Sequence, residues 1–88
     1  MIIRVLGDGP YELDASEADA IERLDNALGA AIDQNDADGL DTALAQLIAH
    51  IRSVGTPMPA DDLRPSDLVV PHEASSLDEV RALLASEG

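Results

Sequence analysis

Residues 37–55 read ADGLDTALAQLIAHIRSVG, and this stretch decides the fold. Leu40, Ala43, Leu44, Leu47, Ile48, Ile51 and Val54 recur at spacings of three and four, which gathers them on one side of a helix. Their arc is wider than the ~100° stripe of a minimal amphipathic helix, so the helix is expected to touch more than one neighbour. If the arc exceeds what the rest of one chain can cover, a homodimer would bury the remainder. Asp36 stands where an N-cap belongs, Arg52 lies in the last turn where a cation suits the helix dipole, and Gly55 follows as the expected C-cap. His50 falls at the rim of the arc. It reads as a satisfied boundary residue, with a pH-sensing or ligand role as the alternative.

Upstream, Ile21, Leu24, Leu28 and Ile32 share one face of a helix of similar length. Asp14-Ala15-Ser16-Glu17 opens it with the pattern of a capping box. Asp25 lies near the edge of the apolar face and reads as solvated rather than buried. Only the polar break 34–38 separates the two helices, so they are expected to pair antiparallel. Before them, Ile2 to Leu6 reads as a strand, Gly7-Asp8-Gly9-Pro10 as a turn, and Tyr11 to Leu13 as the returning strand of a β-hairpin.

Downstream, 56–65 is a connector with three prolines, Pro57, Pro59 and Pro65. Leu68-Val69-Val70 is a β-branched run closed by Pro71, a candidate third strand at a sheet edge. Ser76-Leu77-Asp78-Glu79 is a second capping-box pattern, opening a short helix with Leu77, Val80 and Leu84 on one side. The fold class is α+β in a single domain spanning 1–88: N-terminal β-hairpin, antiparallel helical pair, proline-rich connector with the candidate strand, short C-terminal helix.

Composition bounds the function. The 88 residues carry a net charge of -13, with five arginines and no lysine. Such a surface repels nucleic-acid phosphates and anionic lipid, and attracts a basic protein surface. Cysteine, Phe and Trp are absent, and Tyr11 is the only aromatic. Thiolate chemistry and disulfides are thereby excluded, and the core must be aliphatic. No apolar run approaches the ~20 residues of a membrane-spanning helix. The N-terminus reads as an immediate strand rather than a signal peptide, so a cytoplasmic location is expected.

The motifs that would carry chemistry fail on inspection. In 34–39 a calcium loop aligned on Gly39 has Gln34 in place of the first aspartate and Ala45 in place of the closing glutamate. His72-Glu73 begins a zinc-protease motif, but Ser76 stands where the second histidine belongs. Gly7-Asp8-Gly9 has two glycines at dinucleotide-fingerprint spacing, with Glu12 replacing the third. No nucleophile–base–orienter set can be named. The expected function is therefore non-enzymatic, with no cofactor and no metal.

Three stretches carry a resemblance: Met1 to Tyr11 (MIIRVLGDGPY), Gly55 to Leu63 (GTPMPADDL) with Pro65 to Pro71 (PSDLVVP), and Leu77 to Leu84 (LDEVRALL). Together they resemble the PspAA family, small proteins associated with phage-shock protein A in actinobacteria and other prokaryotes. The Gly-Thr-Pro-x-Pro connector followed by Pro-Ser-Asp is the most specific part. The resemblance implies a cytoplasmic partner of a PspA-like coiled-coil protein in the envelope-stress response, reaching the membrane only indirectly through that partner. It supplies no catalytic residues. Leu68, Val69 and Val70 are the candidate apolar contacts for such a partner, with simple cover of the sheet edge as the competing role. Asp61 and Asp62 are candidate acidic contacts, or turn formers. The alternative function, resting on charge, is an acidic nucleic-acid mimic occupying a basic protein surface.

Overall fold

The computed structural model of the chain describes residues 1–59, 61–62, 64–73 and 75–87, and for 83–87 the backbone alone. Strand β1 (Ile2–Val5) alternates: Ile3 and Val5 are buried, while Ile2 and Arg4 face the other way. Asp8 donates its backbone N–H to the carbonyl of Val5, and the chain reverses into β2 (Gly9–Glu12), antiparallel to β1. Gly7 has φ +86°, and a Cβ there would stand 2.2 Å from the His72 ring. Backbone conformation and space both require glycine at that turn.

Asp14 accepts a hydrogen bond from the Ser16 amide and opens a short 3-10 turn, Ala15–Glu17. Helix α1 (Ala18–Asp33) follows, and its N-cap residue Glu17 makes no side-chain capping bond. The expected capping box is therefore an Asx-type turn. Glu17 lies one 3-10 turn beyond Asp14, with its amide bonded to the Asp14 carbonyl, but its carboxylate turns toward His50 rather than back to the cap. At the far end Asn35 takes φ 57°. The amides of Asp36 and Asn35 bond back to the carbonyls of Ala31 and Ile32, a Schellman-type stop with asparagine in the left-handed position. Asp36 at once caps helix α2 (Ala37–Val54) through the Gly39 amide at 3.0 Å. One residue thus ends the Schellman turn and begins the next helix, which makes the connection tight and the pair antiparallel.

Leu40, Leu44, Leu47, Ile48 and Ile51 are 0% exposed. The wide arc of α2 is consumed within one chain, by α1 and by the sheet, so the argument it offered for a homodimer falls away. Val54 departs from the expectation. It lies in the last turn, where the chain leaves the helix, and is 38% exposed. Gly55 is extended, with φ -86° and ψ 153°, rather than left-handed. Its Cβ would sit 2.5 Å from the Ile51 carbonyl and 3.1 Å from both Leu13 and Tyr11, so it is close approach that selects glycine there.

The connector opens with a two-residue strand not anticipated from the sequence, β3 (Thr56–Pro57), paired antiparallel with β2. The apolar run 68–70 is then β4 (Leu68–Val70), parallel to β1, and the sheet order is β3-β2-β1-β4. β3 and β4 lie at opposite edges, so the intervening chain must cross the sheet. It passes over the face turned away from the helices. There Arg4 donates to the Asp62 carbonyl, and Arg64 pairs with Glu12. Asp67 then clamps Ile2 at both ends, amide to carbonyl at 2.7 Å and carboxylate to amide at 2.9 Å. Helix α3 (Leu77–Glu87) starts with a reciprocal Ser76–Glu79 capping box, as expected, and inserts the buried Val80 into the core. The position expected for Leu84 falls on a side chain outside the described set.

Candidate functional site

The candidate contact residues do not form one surface. In β4, Val70 is 1% exposed and belongs to the core, paired with Val5. Leu68 and Val69 are half-buried at the sheet edge. Asp61 is exposed. Asp62 is engaged inside the chain. Its carboxylate receives Arg64 Nε at 3.2 Å and Nη2 at 3.1 Å, and the Arg64 hydrogen bonds hold it below the ordinary aspartate range. Its negative charge is therefore offset, and it adds little to an acidic patch.

The arginines are used locally. Arg52 donates from Nε to Asp8 at 2.8 Å and approaches Glu73 at 3.6 Å. The Tyr11 hydroxyl donates to the same Asp8 oxygen at 2.9 Å. The Arg52 bond first, and the Tyr11 bond second, lower the Asp8 carboxyl below the ordinary aspartate value. This cluster ties the hairpin turn to the end of α2. Arg81 donates to the carbonyl of Ile32 at 3.0 Å, fastening α3 to the end of α1. Among the described residues no ion pair reaches Asp19, Glu22, Asp33, Asp36, Asp38 or Asp41, all exposed on α1, α2 and their connection. The unbalanced negative field therefore belongs to the helical hairpin rather than to the 61–62 segment.

His50 is half-buried. Its Nε2 is shielded from solvent and, among the described residues, lacks a hydrogen bond, 3.5 Å from a Glu17 oxygen. The expectation of a satisfied boundary residue is therefore not met at this nitrogen, whose nearest acidic neighbour is at long range.

Sequence reading missed a cleft of about 170 Å³ between α1, β4 and α3. Asp25, Gly29 and Ile32, successive turns of one α1 face, form one wall; Leu68 and Val69 form the other, and Val80 contributes from α3. Asp25 is not solvated as expected. It is half-buried, it makes no ion pair or hydrogen bond among the described residues, and desolvation raises its carboxyl above the ordinary aspartate value. The legible signal was Gly29, a glycine in the interior of an otherwise regular helical pattern.

Among the described residues no helix is long and apolar enough to cross a membrane. Comparison with curated proteins and with solved structures found no match. Comparison with family models found one that spans residues 1–88, described as PspA-Associated protein. A match over the whole length, on a chain whose hairpin, connector and last helix carry the PspAA-like stretches, makes this protein a member of the PspA-associated (PspAA) family.

Proposed function

We propose that this domain is a non-enzymatic interaction module that binds a PspA-like coiled-coil protein on the cytoplasmic side of a stressed membrane. The observation that carries the reading is the whole-chain match to the PspA-associated family. The charge distribution supports it. A helical hairpin with six exposed carboxylates that have no ion-pair partner among the described residues steers toward basic stretches, and coiled-coil scaffolds present long helical faces with charged flanks. Steering raises the association rate, whereas affinity must come from a desolvated apolar centre, for which the half-buried edge of β4 is the candidate. The same charge opposes contact with anionic lipid or DNA, so membrane contact runs through the partner.

The test is calorimetric titration of the full chain with its cognate PspA-like protein at low and at physiological salt. Binding that weakens as salt rises is expected, with no binding to anionic vesicles or duplex DNA. Absence of binding at low salt, where attraction is greatest, would sink the reading.

A further inference from the structure

We propose that the cleft between α1, β4 and α3 receives an aliphatic side chain from a helix of the partner, with an adjacent Arg or Lys of that helix pairing with Asp25. This rests on the reading above and names its contact.

Two residues on one face of α1 each carry a local cost that nothing among the described residues offsets. Asp25 is a half-buried carboxylate with no hydrogen bond and no cation beside it among the described residues. Gly29, one turn on, sits in the interior of a 16-residue helix, where glycine is the least favourable residue apart from proline. Glycine is not required by its surroundings: a Cβ built there meets no atom within 4 Å. At Gly7 and Gly55 a side chain would collide, so the contrast lies within the same molecule. Both uncompensated positions line the same cleft, opposite Leu68 and Val69. Sequences depart from local consistency mainly at functional sites. An open notch at Gly29 admits a side chain from outside, and an unpaired carboxylate at its rim selects a cation.

The chemistry commits to a helical occupant. The cleft holds a side chain rather than a folded element. A strand added to the edge of β4 would find only three residues before Pro71, too short a ladder to define a register. A helix instead supplies an aliphatic residue and a basic one a turn apart, matching the i, i+4 spacing of Asp25 and Gly29. The negative hairpin around the cleft favours a basic partner helix.

The experiment titrates the cognate PspA-like protein into the wild-type chain, Asp25→Asn, Gly29→Ala and Gly29→Leu. Neither site has a partner to lose among the described residues, so all three variants should fold. Gly29→Ala should raise Tm by about 4–8 °C, the shift expected when an interior helical glycine becomes alanine. Asp25→Asn and Gly29→Leu should each weaken binding by about tenfold or more. The loss with Gly29→Leu should appear in the dissociation rate and persist at high salt. In the complex, the titration of the Asp25 carboxyl followed by NMR should move to lower pH. Wild-type binding with affinities unchanged in Asp25→Asn and Gly29→Leu overturns this site and leaves the functional reading standing. An Asp25 titration unmoved by the partner likewise overturns it. No binding by the wild-type chain removes both.

Discussion

Asp8 and Asp25 show how one residue type takes opposite roles according to its surroundings. Asp8 accepts from Arg52 and Tyr11, so folding favours its ionised form; Asp25 is desolvated with no partner among the described residues, so folding favours its neutral form. The signs follow by linkage. The folded-state pKa of Asp8 is lowered, so its contribution is present above the unfolded value and is lost as pH falls through the lower folded value. The folded-state pKa of Asp25 is raised, so its penalty is present at neutral pH and is relieved as pH falls through the raised value toward the unfolded one. Asp8→Asn should therefore melt below wild type at pH 7 and Asp25→Asn above it. The Asp25 difference should close on approaching about pH 4, while the Asp8 difference should persist to lower pH. Thermal melts of both variants across pH 3–7 check the sign and the order. A gap for Asp25→Asn that widens on acidification would show that its carboxylate is stabilised rather than desolvated.

The two long helices differ in how their ends are held and in how much they bury. Asp36 makes a side-chain capping bond, whereas Glu17 makes none. Asp36→Ala should cost about 0.5–2 kcal/mol, and Glu17→Ala markedly less. Leu47 is fully buried at the centre of α2. Leu47→Ala should cost ~2–5 kcal/mol, the range for a buried leucine whose cavity only partly collapses. In a core with no Phe or Trp, that loss is a large part of the total stability. Chemical denaturation of the three variants orders these effects. An Asp36→Ala loss no larger than that of Glu17→Ala would mean that the capping bond is immaterial.

Across the whole molecule, charge and topology are coupled. The connector must travel from the β3 edge to the β4 edge, and Arg4 and Arg64 fasten it across the outer face of the sheet. Arg52 is used at the hairpin turn. With these arginines drawn to the sheet and its turn, the helical hairpin keeps its carboxylates unbalanced, and they repel one another. Added sodium chloride should therefore raise Tm modestly by screening, with calcium at matched ionic strength doing no more. A melting shift at micromolar calcium, absent with magnesium or sodium, would instead require a built site. Salt should act in the opposite direction on partner binding, so one titration series separates self-repulsion from attraction to the partner.

Patterns that a local stretch must obey were legible in the residues alone. The 3.6-residue recurrence from Leu40 to Ile51 established α2 and its buried face, Asp36 and Ser76 marked two helix starts, and 1–13 marked the hairpin, because helix period, caps and turns depend on near neighbours. The PspAA-like stretches in the hairpin, the connector and the last helix pointed to the family. Tertiary structure decided the rest. Whether Val70 faced the core and Leu68 and Val69 the rim depended on which strand β4 joined and in which register, and that pairing spans more than sixty residues. Asp62 looked available, but Arg64, only two residues on, pairs with its carboxylate, and the crossing connector brings its carbonyl to Arg4. Asp25 read as a solvated edge residue, and Gly29 carried no reading at all. They become one wall of a cleft only because β4 and α3, distant in sequence, close against α1: burial and pairing belong to the assembled surface rather than to any segment of it.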